Sequence, residues 1–228
     1  MKETLRAEAE RLGNFLTEQQ LDRFCAFGAA LLEKNKVMNL TAITEPEAVA
    51  RLHFADCLTL LKAADLKNAS VIDVGCGAGF PGVPLKLGEP TVRLTLLDSL
   101  QKRVHWLDET LKAMGVEAQC VAARAEEFPA RERYDFAVSR AVARLNVLSE
   151  LCLPFVRVGG AFLAMKGAAA QEELEQARAG IARLGGRVEA LKTYEIGGAE
   201  HRVLLIRKVR PTPPCYPRRF AKIKQQPL

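Results

Sequence analysis

Apolar residues recur at helical spacing through the first third of the chain. Leu21, Phe24, Cys25, Gly28, Leu31 and Leu32 follow one another every few residues. Thr17 with Gln20 three positions later reads as a capping box in front of them. A polar, turn-like stretch holds Asn35, Asn39, Thr41 and Thr44, and Pro46 then suits the first turn of another helix through Val49, Leu52, Leu58 and Leu61. Beyond Asn68 the pattern changes to short β-rich runs alternating with amphipathic segments. That alternation predicts βαβ units and a mostly parallel sheet. Strands are predicted over 70–74, 93–98, 118–122, 134–139, 161–166, 187–194 and 201–208, with the clearest helices over 100–114, 144–156 and 171–184. Gly115, Gly159–Gly160 and Gly185–Gly186 fall where helices are expected to stop. No helix separates the last two strands, so the final strand is expected to run antiparallel. The chain divides into a helical extension (1–66), an α/β domain (67–210) and a Pro-rich tail (211–228) with no expected regular structure.

Composition narrows this picture only in part. With 228 residues, 49% of them hydrophobic, the chain can bury a core without a disulfide or metal. Its six cysteines stand singly, none in a C-x-x-C pair, so no metal site is expected. There is no apolar run long enough for a membrane span, and the first residues are charged and amphipathic rather than leader-like. A cytoplasmic protein without membrane contact is the expectation. Charge is more informative. From Arg202 onward there are eight basic residues and no acidic one, within a net charge of +6. A one-signed segment of this kind predicts a polyanionic partner; the plainer alternative is a solvated tail.

The sharpest motif is the run Asp73, Val74, Gly75, Cys76, Gly77, Ala78, Gly79, Phe80, Pro81, Gly82 after the first strand. Glycines there permit a tight turn and close approach of a ligand to the backbone. Gly77, Gly79 and Gly82 formally match the dinucleotide fingerprint G-x-G-x-x-G, a weak signal alone. A carboxylate at Asp73 would repel a pyrophosphate, whereas it suits the cationic methionine end of S-adenosylmethionine, directly or through water. Asp98 closes the second strand, where such folds place the acid that holds ribose hydroxyls; capping the next helix is its structural alternative. Arg124 to Phe128 follows the third strand, where it would flank the adenine, or merely open a charged helix. Arg140 ends the fourth strand, facing the ligand crevice or forming a salt bridge. His53 and Asp56, one helical turn apart, read as a pair tying the extension to the sheet domain. Trp106 reads as helix packing.

The D-x-G-x-G-x-G loop resembles that of class I methyltransferases. Together the motifs resemble the bacterial small-subunit ribosomal RNA guanine-N7 methyltransferases, historically the glucose-inhibited division protein B family. The resemblance runs nearly end to end. It takes in residues 35–41, His53 with Asp56, residues 75–82, Leu97 to Leu100 with Lys102 and Arg103, 124–128, 139–141, Met165 to Gly167, His201 with Arg202, and Tyr216 to Arg218. Cys76, where Ser or Thr is common, and Phe220–Ala221, where a glycine is common, depart from the pattern; the second leaves the tail's conformation open.

The resemblance implies a Rossmann-like sheet of seven strands behind an N-terminal helical extension, S-adenosylmethionine as cofactor, and 16S rRNA within the small subunit as partner; a monomer is expected because the sequence leaves no large apolar face over. It implies cofactor contacts at Gly75, Phe80, Ala125, Glu126 and Arg140, to which the motif reading adds Asp73, Gly77, Gly79 and Asp98. Arg124, Lys166 and Arg202, with Arg140, are implied near the RNA or the reacting base. Guanine N7 bears a lone pair and no proton, so no residue is assigned as acid or base. Two other classes stay open at this point: a methyltransferase of a small molecule or protein, and a non-enzymatic nucleotide- or RNA-binding module. The basic tail argues against the first and the Asp73–Gly82 loop with Asp98 against the second.

Overall fold

A computed structural model describes all 228 residues. The extension comprises α1 (Lys2–Arg11), α2 (Glu18–Met38), α3 (Pro46–Val49), a π-helical stretch Ala50–Ala55 and α4 (Asp56–Ala63). Both halves of the expected capping box form at the start of α2. The sheet domain continues with β1 (Ser70–Val74), α5 (Gly82–Gly88), β2 (Arg93–Asp98), α6 (Gln101–Ala113), β3 (Gln119–Ala122) and β4 (Tyr134–Arg140). It closes with α7 (Leu145–Cys152), β5 (Val156–Lys166), α8 (Ala170–Arg183), β6 (Gly186–Ile196) and β7 (Ala199–Lys208), and a last helix, α9, spans Phe220–Gln225.

The seven strands form one sheet in the order β3-β2-β1-β4-β5-β7-β6. β1 to β5 are parallel, and β7 runs antiparallel to both neighbours, as the missing crossover predicted. The order reverses between β1 and β4, so the crevice of a doubly wound sheet opens at their carboxyl ends. Register brings Asp73 beside Val138, Val74 beside Leu97 and Asp98 beside Ala122, gathering the motif residues at one edge.

The extension is packed into the same core as one face of the sheet. Phe24 lies 5.2 Å from Phe54, and Phe27 stacks on Trp106 at 6.2 Å. Phe24, Phe27 and Phe54 are fully buried, each contributing about 2–3 kcal/mol from area removed from water. No helix is long and apolar enough to cross a membrane.

Three expectations are corrected. The helix predicted over 144–156 ends at Cys152, because Pro154 holds a 3-10 turn there and the chain enters β5 at once. Gly159 and Gly160 therefore lie inside β5 rather than at a helix stop. A Cβ on Gly160 would sit 2.3 Å from the Asp135 carbonyl, where β4 and β5 shift register. The tail is not irregular: α9 docks with Ile223 buried among the side chains of the sheet's second face.

The basic segment also reads differently in three dimensions. Arg202 pairs with Glu200, Arg207 with Glu189 and Arg218 with the fully buried Glu150. Lys208, without solvent exposure, donates to the carbonyls of Leu153 and Val156 and to Thr212, with Glu132 at 3.5 Å. Its acidic partners lie upstream, beyond the reach of a count along the segment. Arg210, which donates to the Ala182 carbonyl, and Arg219, Lys222 and Lys224 are exposed without an acidic partner, a smaller polyanion surface than the sequence predicted.

Candidate active site

The carboxyl edge of β1 to β4 forms a cleft of about 530 Å³. Its wall begins with the turn after β1. Gly75 has φ +72°, and a Cβ there would lie 2.5 Å from Val142. Gly77 has φ +54° and meets nothing closer than a carbonyl at 4.0 Å, so bare backbone faces the open cleft. The N–H of Gly77 donates to Asp98 Oδ2 and that of Leu100 to Asp98 Oδ1, both at 2.9 Å. Asp98 thus braces the glycine turn and the start of α6 together, and each oxygen keeps a lone pair for a hydroxyl.

Asp73 and Gly79 are placed differently from the cofactor-facing role the motif suggested. Neither lines the cleft. Asp73 is fully buried, its Oδ2 accepting the Gly82 N–H at 2.7 Å while Oδ1 has no partner. Burial pushes its carboxyl up to about 7. Its role here is to lock the turn onto α5 from behind. A Cβ on Gly79 would meet Val83 and Leu107, which makes this glycine a packing requirement.

The far wall is the 3-10 turn Ala125–Glu127, with Glu126 turned inward and paired to Arg124 Nε at 2.7 Å. The Arg124 guanidinium in turn lies over the ring of Phe220, 5.1 Å from its centre, and Phe220 lines the cleft. The sequence marked Phe220 only as a departure from the family pattern and gave it no site role, because the tail has no expected regular structure.

A second cleft, of about 740 Å³, adjoins the first, and the two share His53, Arg140, Ala141 and Val142 on their walls. Arg140 Nη1 donates to Asp56 Oδ2 at 3.1 Å, and His201 Nδ1 lies 2.8 Å from Asp56 Oδ1. Arg140 Nη2 lies 3.1 Å from His53 Nδ1, and His53 Nε2 lies 2.8 Å from Thr41 Oγ1. A guanidinium only donates, so His53 accepts at Nδ1 and carries its proton on Nε2. Burial, then the Arg140 charge, lowers His53 to about 4, which keeps it neutral. Hydrogen bonding to Asp56 raises His201 instead. Phe80 completes the junction, stacked 4.5 Å from His53 with the Arg140 guanidinium 4.7 Å from its centre. The expected tie between extension and sheet exists, but His53 and Asp56 make it by each holding Arg140, not each other. Both readings of Arg140 hold at once: it is salt-bridged and it faces the crevice.

Lys166 lies on the second cleft, as Arg124 lies on the first. Arg202 lines neither; it is spent on the Ala168 carbonyl and Glu200, so a direct RNA contact from it requires those bonds to break. His201, which lay in a resemblance motif but was given no site role, and Glu173, which no motif marks, both lie on the second cleft. No cluster of three metal-ligating side chains is present.

Solved structures agree with this architecture. A SAM-dependent methyltransferase from Aquifex aeolicus superposes with a TM-score of 0.51 at 20% identity, covering 77% of this chain and 97% of that one. TYW2 of M. jannaschii, crystallised in complex with AdoMet, gives 0.55 at 14% identity, covering 68% of this chain and 77% of that one. At such identities the likeness concerns the fold. Sequence likeness goes much further. A protein of Pelotomaculum thermopropionicum named ribosomal RNA small subunit methyltransferase G is 43% identical, with 100% of this chain and 99% of that protein aligned. One of the same name from Bacillus cytotoxicus is 47% identical over 95% of this chain and 94% of its own. The family model for rRNA small subunit methyltransferase G matches residues 19–203, from the capping box of α2 to the middle of β7, and the chain belongs to that family.

Proposed function

We propose that this protein transfers the methyl group of S-adenosylmethionine to N7 of a guanine in 16S ribosomal RNA. The observation that carries the reading is the meeting of two clefts at Arg140–Val142, one walled by a glycine turn and inward carboxylates, the other by ion pairs. S-adenosylmethionine, when bound, supplies an electrophilic methyl carbon on a sulfonium. Gly75 and Gly77 offer backbone without side chains, Asp98 offers free lone pairs to ribose hydroxyls, and Ala125 with Glu126 borders the adenine end. Phe80 and Arg140 close the wall toward the second cleft. Guanine N7 gives up no proton, so these residues need only hold two reactants in line. Positioning of that kind is worth several kcal/mol of barrier, of the roughly 7–11 kcal/mol reachable by ideal orientation.

The assembled small subunit is the proposed substrate form, with the protein acting as a cytoplasmic monomer. Supporting this, its exposed large apolar side chains, such as Phe15, Val37 and Val158, fall on separate segments of the chain. Incubation with tritiated S-adenosylmethionine and unmodified small subunits, free 16S rRNA or bulk protein tests this. Label is expected in RNA, fastest from subunits, with binding weakened by salt as phosphate contacts are screened. Label in protein alone, or none with cofactor bound, would contradict it.

A further inference from the structure

The second cleft carries a donor and an acceptor side by side. Lys166 and Glu173 form an ion pair at 2.8 Å, with side chains only 8% and 16% exposed. Two acceptors engage the Lys166 ammonium, the Ala143 carbonyl at 2.6 Å and Glu173 Oε2. Its third N–H has no acceptor in the protein. Glu173 Oε2 also takes the Leu145 N–H at 2.7 Å, which leaves Oε1 unpartnered. Both residues line the cleft that shares Arg140, Ala141 and Val142 with the cofactor-type cleft.

We propose that Glu173, aligned by Lys166, selects guanine at the methylation site by accepting from its N1–H at Oε1 while Lys166 donates to O6. Guanine presents an acceptor (O6) next to a donor (N1–H). Adenine presents the reverse, an amino donor next to a bare N1. A fixed donor–acceptor pair therefore matches one purine and opposes the other at both positions. Gripping O6 and N1 leaves the N7 lone pair free for the seam between the clefts. A site built to pair polar groups rejects a mismatched ligand strongly, because its own buried groups are left unpaired. The two existing anchors on Oε2 hold the carboxylate in place before any base arrives, which lowers the ordering cost of binding. Glu173 lies on α8, which no motif marked, and its assignment rests on the guanine reading above.

The test uses the full chain and small subunits lacking the modification, with the mapped target as guanine or replaced by adenine. Glu173→Gln keeps the shape but puts an amide N–H₂ where an acceptor is needed. It is expected to lower kcat/KM on guanine subunits by about 10- to 100-fold and to shrink the guanine-to-adenine preference at least about tenfold. Affinity for S-adenosylmethionine is expected to stay within about twofold, while melting falls below that of the exposed Glu175→Gln on the same helix because Lys166 loses its carboxylate, so the base preference is compared at a temperature where the variant is folded. Glu173→Asp, which keeps the charge but draws back the acceptor, is the second variant, expected to raise KM for subunits about tenfold with kcat held. An equal loss on both bases, or an unchanged KM in Glu173→Asp, would overturn the assignment. Wild-type protein placing no methyl on guanine would overturn the functional reading itself, a failure visible before any variant is made.

Discussion

The two clefts are built by opposite means. The cofactor-type cleft is made from backbone: a turn with positive φ at Gly75 and Gly77, braced by one carboxylate, Asp98, at the end of the neighbouring strand. The second cleft is made from side chains that arrive from five places, His53 and Asp56 on the extension, Arg140 on β4, Lys166 on β5, Glu173 on α8 and His201 on β7. The first needs one strand–turn–helix unit in register with its neighbour. The second exists only when the extension, both halves of the sheet and α8 are all in place. A shared cofactor can thus be held by a local device, while the partner-specific half of the reaction depends on the whole fold.

The largest effect is expected where the two meet. Arg140→Ala would leave Asp56, with a side chain 5% exposed, without its main cation. Breaking a buried pair in this way costs about 3–5 kcal/mol. Loss of folding stability in denaturant titrations, together with methyl transfer reduced at least about 100-fold, is the expected outcome. Wild-type stability in the variant would mean that the second cleft does not depend on this network.

Next in size is an acid effect. His53 is held near 4 in the fold against 6.5 in the open chain, mainly by burial and then by Arg140. The unfolded chain therefore binds a proton that the native state refuses, so stability falls as pH drops from about 6.5 to about 4. The loss attributable to this residue is about 3 kcal/mol. His201 has the opposite sign: its raised value gives stability present at low pH and lost as pH rises through that value. Comparing the pH dependence of unfolding in the wild type with that of His53→Phe checks the first, since the variant lacks the titrating group.

Much of the first cleft was legible in the sequence for the reason just given. Gly75, Gly77, Asp98 and the 124–128 segment are contiguous runs at strand ends, and periodicity alone places strand ends. Asp73 was misjudged because sequence gives no direction for a side chain: alternation along β1 turns it toward Gly82, away from the cleft. Of the second cleft only Arg140, Lys166, the pairing of His53 with Asp56, and the His201–Arg202 motif, without a role for His201, had any local signal. Glu173 and His201 acquire meaning from register and packing, as when Arg202 comes opposite Lys166 on β5. The tail failed for the same physical reason, since the carboxylates that fold it, Glu132 and Glu150, lie more than one element upstream.

Two smaller changes sharpen the contrast from the side of the first cleft. Gly75→Ala places a Cβ at a left-handed φ and against Val142, a strain of about 1–2 kcal/mol. It is expected to weaken cofactor binding by about tenfold in calorimetry while leaving RNA binding intact. Phe220→Ala removes the ring beneath Arg124 at the outer rim. A two- to fivefold loss of cofactor affinity is expected, on the order of 0.5–1 kcal/mol for one partly exposed cation–π contact. Equal loss of RNA binding in Gly75→Ala would erase the division between the clefts.

The most direct measurement is the position of the transferred methyl group. Small-subunit RNA labelled by the wild-type protein is reduced and cleaved under conditions specific for 7-methylguanine, and the breaks are mapped by primer extension. A single break at a guanine, absent without enzyme and absent with Arg140→Ala, is the expected result. Label that resists cleavage, on another atom or another base, would contradict guanine N7 as the acceptor.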